Sequence, residues 1–134
     1  MSRLQKKLLE LCAEETNGVY CLSRETLMTY AEICDCSRRF GSVLEDKKQQ
    51  VISVLLPNSI EYIEAMIFSF LSGNIFNPIP YFMSDQEVNR LLSIIGSDVV
   101  LTDRNLELAP ENKKKIVDVN KLSSTEPITT YGDN

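Results

Sequence analysis

Val51-Ile52-Ser53-Val54-Leu55-Leu56, stopped by Pro57, is the stretch that decides the fold. It is almost wholly apolar and rich in β-branched side chains, the pattern of a strand covered on both faces, as in a parallel sheet. Asn58 and Glu61 follow with the spacing of a capping box. They open a helix that runs through Ser72 and is apolar on most sides (Ile60, Ile63, Met66, Ile67, Phe70, Leu71), so it is expected to be largely buried. Gly73-Asn74 closes it. Ile75 to Pro80 then reads as a strand whose prolines confine it to a sheet edge or a strand end.

Toward the C-terminus the alternation continues. Ser84 and Glu87 form another capping box, with Val88, Leu91, Leu92 and Ile95 turned inward and Gly96 as terminator. Asp98 to Thr102 is a second buried strand, and Lys115 to Val119 a last one. From Leu122 the chain is polar and proline-broken, which predicts one domain over 1–121 and a linker or tail over 122–134. Toward the N-terminus, Leu4, Leu8, Leu11 and Cys12 share a helical face, with Asn17-Gly18 as a left-handed stop. Val19 to Leu22 and Thr26 to Met28 read as a hairpin around Ser23-Arg24-Glu25. Thr29 and Glu32 cap a helix whose inner face is Ile33, Cys34, Ser37, Phe40 and Leu44, ended by the polar run Glu45 to Gln50. Strands alternating with helices from Val51 to Val119 predict an α/β fold with a mainly parallel sheet flanked by helices, preceded by a short helix and a hairpin.

Composition narrows the function classes. With 134 residues, 43% of them hydrophobic and 25% charged, the chain has the make-up of one globular domain. Its net charge of -5 gives no general attraction to nucleic acid or anionic lipid. Lys113-Lys114-Lys115 is a short basic run leading straight into apolar Ile116-Val117, a solvated approach to a strand. Ala65 to Leu71 is the most apolar stretch and far short of the ~20 residues of a membrane span. The N-terminal helix intersperses charges among its leucines, so it does not read as a signal peptide. Its four cysteines are therefore expected as reduced thiols in a cytoplasm, without a disulfide.

No catalytic, cofactor-binding or metal-binding residue is expected in this chain. Gly18, Gly41, Gly73, Gly96 and Gly132 are dispersed, whereas a backbone that wraps a phosphate needs clustered small residues at a helix start. Histidine is absent, which removes the usual base of Ser and Cys hydrolases and the commonest metal ligand. Cys34 and Cys36 point about 200° apart on a helix and cannot chelate one ion there. They read as one core and one more exposed cysteine, and Cys12 and Cys21 as small core residues. Asp85 and Glu87 suit the first turn of a helix. Asp98 and Asp103 flank a strand. Asp103 lies at its carboxyl end, where α/β ligands tend to bind, yet a turn residue bonded to its own backbone is the plainer expectation.

Read in order, several segments resemble the beginning of the adenylate-forming (AMP-binding) superfamily, which includes acyl- and aryl-CoA ligases, luciferases and peptide-synthetase adenylation domains. These are Leu27 to Ile33, Val51 to Tyr62, Ser72 to Pro80 and Asp98 to Asp103. Each piece alone is a cap, a strand or a turn; the ordered set carries the resemblance. Lys47-Lys48-Gln49-Gln50 stands where the family often has Gly-Asp, and Asn74 where it has a small residue. The resemblance implies the N-terminal scaffold portion of a ligase that uses ATP and Mg²⁺ to make an acyl-adenylate and passes the acyl group to a thiol of CoA or a phosphopantetheine carrier. The family's phosphate loop, ribose aspartate and catalytic lysine all belong downstream of Asp103. Glu126 to Asn134 falls where the phosphate loop is approached, so the chain is expected to stop short of the chemistry and to bind no cofactor alone. The implied partners are the downstream part of the same enzyme and a second copy, through an exposed sheet edge or apolar face. The other readings are a naturally short non-catalytic interaction module of the same fold, and an unrelated small α/β domain.

Overall fold

A computed structural model describes residues 2–43 and 49–124. Its centre is a four-stranded sheet of β3 (Val51–Leu55), β4 (Ile75–Pro78), β5 (Val99–Thr102) and β6 (Ile116–Asp118), in the order β4-β3-β5-β6 and parallel throughout. Before it come α1 (Arg3–Cys12), the antiparallel hairpin β1 (Gly18–Cys21) and β2 (Thr26–Thr29), and α2 (Tyr30–Ser37). A 3₁₀ segment, Arg38–Val43, prolongs α2. The crossovers are α3 (Ile60–Leu71), α4 (Asp85–Ile95) and the one-turn α5 (Pro110–Lys113), and a second 3₁₀ segment, Val119–Ser124, follows β6. The expected α/β class and flanked parallel sheet are what the chain forms.

The alternation of side chains along the strands splits the interior into two layers. Ile52 and Val54 of β3 and Val99 and Leu101 of β5 pack against Ala65 and Phe68 of α3 and against Phe40. Leu55 and Val100 turn the other way, onto Val88 and Leu92 of α4. Ser53 faces this second layer and is fully buried; its hydroxyl lies 2.7 Å from the Ser97 hydroxyl and accepts from Asn77 Nδ2 at 2.9 Å. That bonding lets a polar residue sit inside a central strand. A third cluster, Ile33, Cys34, Ile67 and Leu71, fastens α1, α2 and the hairpin to the outside of α3.

Local sequence explains the strand limits. Ile75 and Ile79 donate their N–H groups to Gln50 and Val54 of the β3 side, so by alternation Pro78 and Pro80 fall on the outward side of β4, where no N–H is needed. Gly73 (φ 75°) and Gly96 (φ 71°) end α3 and α4 in the left-handed region. Asn74, the departure from the family pattern, accepts from the Gln50 N–H at 3.0 Å and ties the start of β3 to that of β4.

Several expectations need correction. The cap of α3 is Ser59, whose Oγ accepts from the Tyr62 N–H at 3.2 Å; Asn58 lies one residue outside, and Glu61 pairs with Arg24 instead of closing a box. α1 stops at Cys12 with Ala13 as its cap, and Gly18 is not left-handed. Gly18 is required because a Cβ there would stand 1.8 Å from the Met28 carbonyl oxygen across the hairpin. Ile95 is 37% exposed, since only Val88 and Leu92 of α4 reach full burial. Leu122, placed at the head of the polar tail, is buried with Val119 in the α3-side layer. Cys12 and Cys34 are joined in a disulfide, where free thiols were expected, because α1 crosses α2 with their Cα atoms 5.3 Å apart. Leu44, the polar run 45–48 and residues 125–134 of the tail lie outside the described residues.

Candidate functional site

In a parallel sheet the carboxyl ends of the strands gather the loops, and ligands bind where successive crossovers leave in opposite directions. Here that point lies at the ends of β3 and β5, because β3 connects to β4 on one side while β5 pairs on the other. A crevice of about 140 Å³ opens there, lined by Arg24, Glu61, Asp103 and Asn120. Arg24 bonds Glu61 at 2.5 Å, bringing the hairpin turn against the first turn of α3. Burial pushes the Glu61 carboxyl up, but the Arg24 hydrogen bond, its own backbone N–H and the charges of Arg24 and Arg39 outweigh this and hold it below its ordinary value.

Beside the crevice, past the ends of β3 and β4, lies an open apolar cavity of about 530 Å³ between Pro57, Tyr62, Pro80, Tyr81 and Phe82. Phe82 is 97% exposed and Tyr81 half-buried. The Tyr81–Met83 loop is held by Arg104, whose Nη1 donates to the carbonyls of Tyr81 (2.6 Å) and Met83 (3.1 Å) while Nη2 bonds Asp85 at 2.6 Å. Asp85 also accepts the Glu107 N–H at 3.0 Å. The Tyr81 hydroxyl donates to Asp103 at 2.9 Å, and this bond to an anion raises the Tyr81 pKa above its ordinary value. An aromatic loop is thus presented to solvent on a rigid ionic mount.

The structure unites two of the carboxylates singled out in the sequence, Asp85 and Asp103, through Arg104 and Tyr81, and it separates the rest. Asp103 bonds a tyrosine hydroxyl, not its own backbone as a turn residue would. Asp98 sits at the opposite, amino end of the strands, accepting the Val51 N–H at 2.7 Å. Glu87 stays with its cap, 3.1 Å from the Ser84 hydroxyl. Cys36 is exposed while Cys34 is bonded to Cys12. Lys115 bonds Asn112 at 3.2 Å. Arg104 and Tyr81 escaped the sequence reading, although an Arg directly after an Asp at a strand's carboxyl end, and an aromatic pair directly after a strand-ending proline, mark both.

The N-termini of α2, α3 and α4, usual seats for phosphate, are already capped: Thr29, Ser59 and Ser84 each accept an N–H of their own first turn. Gly73 and Gly96 stand at helix C-termini, where carbonyls and not N–H groups project. Among the described residues no three His, Cys, Asp or Glu side chains gather as metal ligands, and no helix is long and apolar enough to cross a membrane.

Comparison with known proteins agrees with this architecture. The profile of the AMP-binding enzyme family matches residues 9–133. The 4-coumarate–CoA ligase of Vanilla planifolia is 27% identical over 110 residues, which are 76% of this chain but 20% of that enzyme. The O-succinylbenzoate coenzyme A synthetase of Bacillus subtilis, solved with AMP, superposes with a TM-score of 0.73 at 24% identity, covering 96% of this chain and 34% of that one. The N-terminal domain of FACL13 from Mycobacterium tuberculosis superposes with a TM-score of 0.78 at 19% identity, covering 100% of this chain and 39% of that domain. The chain spans about a fifth of the length of the curated ligase it matches, and a profile match over nearly its whole length shows that it belongs to the AMP-binding enzyme family.

Proposed function

We propose that this chain is the N-terminal scaffold portion of an AMP-forming ligase, one that activates a carboxylate as an acyl-adenylate and transfers it to a thiol of CoA or of a phosphopantetheine carrier. The observation that carries this reading is the family match across 9–133, combined with coverage of only about a third of a neighbour such as the succinylbenzoate synthetase. The chemistry belongs to the complete enzyme. This portion holds neither ATP nor Mg²⁺ by itself: the starts of α2, α3 and α4 are each capped by their own hydroxyl, and Gly73 and Gly96 stand at helix C-termini. Its partner is the downstream part of the same enzyme, which covers the apolar cavity around Phe82. Where that part is missing, a second copy covers the same face.

Two measurements test this. ATP–pyrophosphate exchange and calorimetric ATP titration of the chain are expected to be silent, and tight ATP binding would overturn the scaffold reading. Sequencing the transcript past codon 134 is expected to reveal a Thr-Ser-Gly-rich loop with a lysine; an immediate stop codon would favour a naturally short interaction module.

A further inference from the structure

α1 is lightly secured to the rest of the fold. None of its residues is fully buried. Leu8, Leu9 and Cys12 lie half-buried against the cluster of Ile33, Ile67 and Leu71, and Gln5 Nε2 donates to the carbonyls of Phe70 (3.1 Å) and Leu71 (3.4 Å). At 10 residues it is shorter than the ~12–15 at which an isolated helix becomes even marginally stable, so it is helical only while docked. Beyond the backbone itself, the Cys12–Cys34 disulfide ties it covalently to α2. Cys34 is 2% exposed in α2, whereas Cys12, at the last position of α1, is half-buried and open to a small reagent.

We propose that Cys12 and Cys34 form a thiol–disulfide latch that holds α1 against α2 and α3 when oxidised and lets it detach when reduced. The oxidant class is a low-molecular-weight disulfide such as glutathione disulfide. The Cys12 thiolate attacks one of its sulfurs and expels one glutathione thiolate. The Cys34 thiolate then attacks the Cys12 sulfur of the mixed disulfide and expels the second. Two cysteine thiols lose two protons and two electrons, and one glutathione disulfide becomes two glutathiones. Glutathione runs the sequence backward. A cysteine pair in a reducing compartment is suited to this reversible use and not to a permanent staple. Release uncovers Ile67, Leu71 and Ile33, so the latch also controls an apolar face on the far side of α3 from the sheet.

Cys21 and Cys36 are the free cysteines, so a Cys21→Ser/Cys36→Ser variant isolates the pair. The protein is equilibrated in glutathione buffers from reducing to oxidising, acid-quenched, unfolded and alkylated with iodoacetamide. Intact mass is expected to show two alkyl groups falling to none in one transition, with a tryptic peptide linking Cys12 to Cys34. Wild-type protein gives the same answer as four groups against two. In parallel, limited trypsinolysis of the native protein at Lys6 and Lys7 is expected to be about tenfold faster after reduction, because cleavage follows local opening. Cys12→Ala, which keeps an apolar contact, should cleave at the fast rate in both buffers. Full alkylation at every ratio would overturn the latch. So would a linked pair whose reduction leaves the cleavage rate unchanged.

Discussion

Glu64 occupies a position that its helix otherwise gives to apolar side chains, four residues after Ile60 and four before Phe68, and it is 4% exposed. Arg39 of the 3₁₀ segment after α2 meets it at 2.9 Å, and Glu61, Arg24 and Cys36 complete the charged and titratable surroundings. Burial dominates and pushes the Glu64 carboxyl up to about 7 from an ordinary 4.5, with Arg39 opposing. The sign follows from proton counting. Between pH 4.5 and 7 the folded state binds more protons than the unfolded one, so this group's contribution falls as pH rises and levels off above 7. The loss is at most about 3 kcal/mol. Urea denaturation across this range should show that slope, and Glu64→Gln should flatten it; a slope that survives the substitution would place its origin elsewhere. Arg104 makes a different case, because it binds two carbonyls and a carboxylate at once. Arg104→Ala should cost about 1.5–3 kcal/mol, the range for hydrogen bonds to a charged group, in the same experiment.

The helices and strands show how far local sequence reaches. Ser84→Ala should cost about 1 kcal/mol, because its hydroxyl is the cap of α4. At α3 the structure reassigns the cap by one residue, so Ser59→Ala should cost a similar ~1 kcal/mol while Asn58→Ala costs less. Equal losses at Asn58 and Ser59 would sink that reassignment. Caps, glycine stops and the apolar runs of β3 and β5 were legible because their physics is contained within a few consecutive residues. Asn58–Glu61 misled because it has the same spacing as a true box while Glu61 was drawn off by Arg24, 37 residues away. Separations of 19 and 22 residues likewise hid Arg104 on Asp85 and Cys12 on Cys34: no local pattern announces a partner that only the packing of crossovers supplies. Gly18 was read as a helix stop for want of its true neighbour, Met28. A Gly18→Ala change should lower stability by about 1–3 kcal/mol, the scale of overpacking, by forcing the hairpin strands apart. Near-neutral behaviour in thermal unfolding would contradict the close approach.

At the scale of the molecule, the question is which surface a second copy would use. The β4 edge is blunted by Pro78 and Pro80, and the β6 edge is only 3 residues long, so neither offers a good template for strand addition. The apolar face past the ends of β3 and β4 is different. Its Tyr81–Met83 loop is fixed in place by Arg104, and it holds out Phe82 with nearly all its surface in water. A rigid aromatic beside an open apolar cavity has the make-up of an interface hot spot, where truncation costs at least about 2 kcal/mol. Two copies related by a two-fold axis can each place Phe82 toward the other's cavity, which closes the assembly as a dimer. Sedimentation equilibrium of the chain should therefore show a monomer–dimer equilibrium, and Phe82→Ser, which removes both symmetry-related contacts, should weaken it by nearly a thousandfold, the equivalent of ~2 kcal/mol at each of the two cavities. Because Phe82 touches so little of its own fold, the substitution should leave the unfolding midpoint of the monomer unchanged. A wild-type chain that stays monomeric at high concentration, or a dimer indifferent to Phe82, would reject this face as the contact.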